Sequence, residues 1–288
     1  MHGIVFEKID FKIIYEPYYY HNHSKTAIVT SLSMMQNNDR RDNGLILIRR
    51  LMDSIGEKKR NNLVCYVDDP ECDLHVSAID EHQESPGRTK RIREFIKEIG
   101  LDKLLFLIGS SSVRKQELTK THDKDYVETL INCGKKNTPI IVPSPSSEIS
   151  MSNIQSLNSI FAAVGSVFAA IQTVCGEHKI DSDRNIYNSR QIKKVFCNVR
   201  PPGHHAHHRK GAGFCFLNNV ALGATMALDK YPQTIKKVLI FDWDLHHGDG
   251  TEDIFRGNPN VMYVSFHRGG EYGQDKFYPG TGSSEISQ

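Results

Sequence analysis

Apolar and polar positions follow two periods along this chain, and from residue 62 onward they alternate in blocks. The run "NLVCYVDD" at 62–69 is a short, nearly continuous apolar stretch and predicts a buried strand. In "SPGRTKRIREFIKEIG", Ile92, Phe95, Ile96 and Ile99 recur at helical spacing, and Gly100 supplies a stop. "VPSPSSEIS" reads as a loop from its Pro and Ser content. Leu157, Ile160, Phe161, Val164, Val167, Phe168, Ile171 and Val174 then fall on one helical face, ended by Gly176. After that come a strand in "KKVFCNV", a helix in "NNVALGATMALDKY", and strands in "KKVLIFDWD" and "NVMYVSF". Strands alternating with helices imply an α/β fold with a mainly parallel sheet flanked by helices. Residues 1–61 break this rhythm. They offer one plausible helix, "GLILIRRLMDSIGEKKR", and predict an N-terminal extension with weak structure of its own.

Composition changes this picture little. The chain has 288 residues, 39% hydrophobic and 24% charged, which is ordinary for a globular protein with a sizeable core. A net charge of +2 gives no reason to expect direct nucleic-acid binding. No apolar run in the sequence reads as a membrane span. The N-terminus carries no signal-peptide pattern, so the expected location is nuclear or cytoplasmic, not secreted. Six scattered cysteines then read as reduced thiols. Arg88, Lys90, Arg91 and Arg93 read as the solvated face of their helix.

The chemistry gathers where three predicted strands, "VFCNV", "VLIF" and "VMYV", end, the last running into "SFH"; this is the edge at which open α/β sheets place their sites. "VLIF" runs into "DWDLHHGDG" at 242–250. Alternation on an extended segment points Asp242, Asp244 and His246 the same way. Asp244 and His246 thus offer an oxygen and a nitrogen to one point, a mixture that suits zinc, with a further ligand needed from elsewhere. The competing reading is a metal-free network of buried ion pairs. "VFCNV" runs into "RPPGHHAHH", where two prolines and Gly203 fix a turn that presents His204 and His205. A histidine pair beside a metal suits general acid–base work, and Asp242 and Asp249 are suitable partners for the far ring nitrogens. His207 and His208 read as exposed loop histidines. "GAGF" allows close backbone approach to a substrate and sets Phe214 as a pocket wall.

Together, "RPPGHHA", "GFCFLNN", "DWDLHHGDGTEDIF" and "FYPGTG" resemble the zinc-dependent histone deacetylase family, closer to its class II branch, with the arginase/deacetylase fold. "HQESPGR" at 82–88 is similar to a further family motif, with Gln83 in place of a proline. The resemblance implies Asp244 and His246 as zinc ligands, His205 as general base and then acid, and His204 as a mainly electrostatic neighbour. Asp242 and Asp249 would orient the two histidines. Gly213 would meet the substrate amide, and Phe214 and Tyr278 would line the path for an acyl-lysine chain. A structural potassium would match Asp242, Asp244, His246, Ser265 and Phe266, and a second monovalent ion would match Phe255, Asn258 and Val261 in part. Implied partners are acetylated lysine proteins or peptides, histone tails among them, and co-repressor proteins.

The resemblance covers about residues 62–288 and implies a partial catalytic domain, incomplete on its C-terminal side. The family's third zinc ligand, an aspartate, and its oxyanion-binding tyrosine come from a later segment. A catalytically inactive relative that acts as a binding module is therefore the alternative expectation. A two-metal, arginase-type hydrolase would want a carboxylate at 248, where Gly248 stands.

Overall fold

The computed structural model describes residues 64–76, 84–136, 153–177, 192–269 and 277–282 in full. It also gives the backbone of short strands at 3–7, 140–142, 149–151, 180–182, 185–187, 271–272 and 275–276. The helix expected within 44–60 and the position of Gln83 lie outside the described residues. In chain order the elements are β1 (Gly3–Glu7), β2 (Val64–Asp68), α1 (Gly87–Glu98), β3 (Leu105–Ile108), α2 (Lys115–Leu118), α3 (Lys124–Lys136), β4 (Ile140–Val142) and β5 (Ile149–Met151). They continue with α4 (Ile154–Val174), β6 (Ile180–Ser182), β7 (Asn185–Tyr187), β8 (Lys194–Asn198), α5 (Asn219–Lys230), β9 (Val238–Asp242), α6 (Asp249–Phe255) and β10 (Val261–Ser265). Two-residue strands β11 (Glu271–Tyr272) and β12 (Asp275–Lys276) form a small hairpin near the end.

The main sheet has the order β1-β8-β2-β3. β8, β2 and β3 run parallel, as the strand–helix alternation predicts. β2 is covered on both faces, with Cys65, Tyr66 and Val67 all buried, which is why its sequence reads as a continuous apolar run rather than an alternating one. β1 pairs antiparallel with β8, Gly3 opposite Asn198 and Glu7 opposite Lys194, so five residues of the N-terminal stretch join the sheet edge. β9 and β10 form a separate parallel pair.

α4 is the central helix. Asn153 caps it by accepting the Ser156 N–H at 2.8 Å. Its large side chains, Leu157, Ile160, Val164, Val167, Phe168 and Ile171, pack with Val127 and Leu130 of α3 and Leu222 and Met226 of α5. On another face Ala162, Ala163 and Ala170 meet Cys65, Val67, Val195 and Cys197 of the sheet. Small residues there let the helix lie close to the strands. Each large side chain buried this way is worth roughly 1.5–3 kcal/mol, so α4 fixes the layers to one another. By length and composition α4 is long and apolar enough to cross a membrane, which corrects the expectation that no such run exists. Serines, threonine and glutamine break up the run in the sequence, and in the fold the helix is the largely buried core element.

Two features set the frame for the site. Arg200, just past β8, is buried and forks onto Glu84 at 2.8 and 2.6 Å while donating to the Cys72 carbonyl at 2.9 Å. This pins the turn that follows β8. The β9–β10 pair is packed on one side only among the described residues. Ile240 and Val261 meet Ala221, Ala224 and Phe255, whereas Leu239, Phe241 and Met262, with Trp243, Leu245 and Phe266 beyond the strand ends, are exposed.

Candidate functional site

The turn after β8 and the loop after β9 meet at the carboxyl edge of the strands. The Thr251 N–H of α6 donates to the His204 carbonyl at 3.0 Å, which joins the two loops directly. Trp243 and Leu245 face outward while Asp242, Asp244 and His246 turn inward, so the alternation expected of this stretch persists after β9 ends.

Each of the tandem histidines has its own carboxylate. His204 Nδ1 lies 3.0 Å from Asp242 Oδ2, and His205 Nδ1 lies 2.7 Å from Asp249 Oδ1. The rings sit 4.0 Å apart, centre to centre. A carboxylate can only accept, so Nδ1 of His205 carries the proton and its Nε2 presents a lone pair when the ring is neutral. Burial is the main influence on His205 and pulls its pKa below the ordinary imidazole value, and the charges of His204 and His246 pull the same way against Asp249. The ring is therefore neutral near neutral pH, in the tautomer a general base needs.

The carboxylates stay ionised despite burial. Burial alone would raise Asp242, but the hydrogen bond and charge of His204, the Asp244 N–H and the Tyr263 hydroxyl outweigh it and bring the pKa to about 2. Asp249 is also held low, because His205, His207 and the Gly250 N–H together outweigh its burial. Gly248 has no room for a side chain: a Cβ there would stand 2.4 Å from Asp242 Oδ2 and 2.5 Å from the Tyr263 hydroxyl. A carboxylate at this place, as two-metal chemistry would need, does not fit.

Asp244 and His246 lie side by side. Asp244 Oδ1 accepts the His246 N–H at 2.8 Å and sits 3.2 Å from His246 Nδ1. Two ligands about 2.0–2.2 Å from one tetrahedral zinc are separated by about 3.3–3.6 Å, so this pair needs to open only slightly to occupy adjacent corners of a zinc site. His246 is more exposed than Asp244 and opens toward solvent. Among the described residues no group of three or more His, Cys, Asp or Glu is arranged to hold a metal. The donor set in place is therefore one carboxylate and one imidazole.

The residues expected to meet substrate lie against the same histidines. Gly213 adopts φ +51°, and a Cβ on it would come within 2.4 Å of the His205 ring and 2.7 Å of the Tyr278 hydroxyl. Phe214 follows with φ 70°, left-handed and partly buried. The Tyr278 ring stands edge-on to His205 at 4.8 Å and to His246 at 5.9 Å. Of the residues matched to a potassium ion, Ser265 Oγ lies 2.8 Å from His267 Nδ1, and the Asp242 carbonyl accepts the Phe266 N–H at 2.9 Å. At the second place, Asn258 N–H donates to the Phe255 carbonyl and Val261 N–H to the Asn258 carbonyl, at 2.9 and 3.4 Å.

Five residues have partners that a reading of the sequence misses. His207 is not a simple exposed loop histidine, because it bridges Asp253 at 3.0 Å and the second oxygen of Asp249 at 3.3 Å. His208 is exposed, yet its Nδ1 lies 2.7 Å from the Thr121 carbonyl. Tyr263 holds Asp242, and its place on β10 one strand away from β9 is the only hint the sequence offers. Phe277 stacks flat on His246 at 5.1 Å. His122 is fully buried beneath the turn, its Nδ1 2.9 Å from the His207 carbonyl and its Nε2 accepting the Asn218 N–H at 2.9 Å.

Comparison with known proteins gives the family. The family model described as "Histone deacetylase domain" matches residues 82–288. Histone deacetylase clr3 of Schizosaccharomyces pombe is 35% identical over 228 residues, 76% of this chain and 31% of that protein. Histone deacetylase HDA1 of Saccharomyces cerevisiae is 31% identical over 222 residues, 73% of this chain and 29% of that protein. The chain thus spans about a third of the length of these relatives. The crystal structure of the HDA15 HD domain superposes with a TM-score of 0.63 at 29% identity, covering 77% of this chain and 57% of that one. With the fold and the family match in agreement, the chain belongs to the histone deacetylase family.

Proposed function

We propose that this site serves the zinc-dependent hydrolysis of acetyl-lysine amides in proteins or peptides, histone tails among them. The observation that carries the reading is the placement of two His–Asp pairs beside Asp244 and His246 at one sheet edge. Asp244 and His246 would hold a zinc ion, which when bound would polarise the amide carbonyl and acidify a water. His205, neutral and oriented by Asp249, takes the proton of the attacking water at Nε2 and returns it to the leaving lysine amine. His204, fixed by ionised Asp242, contributes electrostatically at the same centre. Gly213 lets the backbone approach the amide, and Phe214 and Tyr278 wall the path of the aliphatic chain. A structural potassium near Asp242, Ser265 and Phe266 belongs to the same reading, as do co-repressor partners, a nuclear or cytoplasmic location, and a partial catalytic domain over 62–288 preceded by an extension.

One observation favours a second reading, a binding module without turnover: two metal donors are in place among the described residues, where a catalytic zinc takes about three. Zinc held by two donors is weak, so rapid turnover needs a further donor. The test assays residues 1–288 with zinc on a fluorogenic acetyl-lysine peptide, beside a version extended with a homologous C-terminal segment. The extended protein should turn over and lose about 10²–10⁴-fold on His205→Ala. Turnover that survives His205→Ala contradicts the assignment. An extended protein that binds the peptide without cleaving it supports the binding module.

A further inference from the structure

The segment Phe277–Gly282 forms a strap across the site and is held at both ends. At the first end Phe277 stacks on His246, the Arg268 guanidinium lies 4.6 Å from the Phe277 ring centre, and Tyr278 stands against His205. At the other end Thr281 Oγ1 is 2.8 Å from His247 Nδ1, and the Gly282 carbonyl is 2.8 Å from His267 Nε2. His247 and His267 belong neither to the His–Asp pairs nor to the Asp244–His246 pair, and the mechanism above makes no use of them. Their rings lie 4.6 Å apart, and a Cβ on Gly282 would strike both, at 2.7 and 2.4 Å. The strap backbone therefore rests directly on the two rings.

We infer that His247 and His267 are positioning residues that moor this strap, and so keep Phe277 on His246 and Tyr278 on His205. Proton roles follow from the partners. His247 Nε2 lies 3.0 Å from the Glu252 carboxylate, which can only accept, so Nε2 carries the proton. The Nδ1 of the neutral ring then accepts the Thr281 hydroxyl proton. The Gly282 carbonyl also only accepts, so His267 donates from Nε2, and its Nδ1 in the neutral ring accepts from Ser265 Oγ, 2.8 Å away. Each ring is a connector from the body of the fold to the strap: His247 from Glu252 on α6, His267 from Ser265 at the end of β10. Gly280, Thr281 and Gly282 are exposed, and none of them carries an apolar side chain that could anchor the strap. The turn bond from Gly280 N–H to the Phe277 carbonyl, 2.8 Å, lies within the strap and does not tie it down. Polar contacts to His247 and His267 do that.

The consequence for acetyl-lysine recognition rests on the function proposed above, so the test reads the mooring without substrate. Hydrogen exchange of the 277–282 peptide in the full chain is compared for wild type, Thr281→Val, His247→Gln and His247→Asn. Thr281→Val removes the hydroxyl from an exposed residue and leaves the fold intact. His247→Gln keeps a donor toward Glu252 and loses the acceptor for Thr281, whereas His247→Asn keeps that acceptor. Thr281→Val and His247→Gln should accelerate exchange roughly fivefold, the effect of one lost neutral hydrogen bond, with His247→Asn close to wild type. In Thr281→Val the ring-proton NMR shifts of His205 and His246 should also move, as the rings of Tyr278 and Phe277 leave them. Wild-type exchange in Thr281→Val and His247→Gln, or His247→Asn as fast as His247→Gln, overturns the mooring. Faster exchange with unmoved His205 and His246 shifts overturns the positioning role. A wild-type protein without deacetylation would count against the proposed function alone, since neither readout depends on turnover.

Discussion

His122 should make the stability of this protein depend on pH in a defined window. The ring is fully buried, donates from Nδ1 to the His207 carbonyl and accepts the Asn218 N–H at Nε2. Protonation would convert that acceptor into a second donor pointing at a backbone N–H, at a fully buried position. Burial, with the charge of His208 adding to it, brings the pKa from 6.5 to about 4, against the opposing backbone bonds of His207 and His208. The folded pKa is below the unfolded one, so between these values the unfolded chain binds more protons and stability rises with pH. The contribution is complete above about pH 6.5 and is lost progressively as pH falls to about 4. A gap of about 2.5 pH units at ~1.4 kcal/mol each is worth about 3 kcal/mol. Urea unfolding midpoints measured from pH 4 to 7 for wild type, His122→Gln and His122→Asn would show it. Both variants lose part of the hydrogen bonding and are less stable at pH 7, so the informative quantity is the slope of stability against pH. That slope should flatten by about 3 kcal/mol across the window relative to wild type. An unchanged slope in both variants would mean that the fold does not lower the His122 pKa, and the proton assignment would be wrong.

Other perturbations follow from the same frame. Glu84→Gln leaves Arg200 buried with an uncompensated charge and should cost about 3–5 kcal/mol in a denaturant titration; a loss below 1 kcal/mol would show that the pair does not anchor the turn. Gly213→Ala places a Cβ at φ +51° against His205, and the backbone term alone costs roughly 1–2 kcal/mol, so the melting midpoint should fall. An unshifted midpoint would mean that the loop can move away from His205, and that the close approach is not a fixed feature.

Much of the site can be read in the sequence because its chemistry is local. Asp242, Asp244, His246 and Asp249 sit in one nine-residue run, and His204 and His205 follow a strand with an unmistakable apolar pattern. Helix α4 and strands β8, β9 and β10 occur where periodicity predicts them, because each buries a continuous face. What escapes is whatever depends on distant partners. His122 sits in the polar stretch "TKTHDKD", and its two partners are backbone groups 85 and 96 residues away, so no spacing in the sequence marks it. His207 looks like a loop residue until α6 brings Asp249 and Asp253 to it. The pairing of β1 with β8 is a tertiary choice of edge that the short apolar run in "GIVFE" does not specify. The exposed face of β9 and β10 has the composition of a covered strand, and only the packing shows that one side is bare among the described residues.

The central claim is that Asp244 and His246 hold the metal while His205 works beside it without binding it. Calorimetric titration of residues 1–288 with zinc, on wild type and on Asp244→Ala, His246→Ala and His205→Ala, tests this most directly. Wild type and His205→Ala should bind one zinc with similar, modest affinity, and Asp244→Ala and His246→Ala should lose it. Tight stoichiometric binding that survives Asp244→Ala, or binding abolished by His205→Ala, would place the metal elsewhere and contradict the claim.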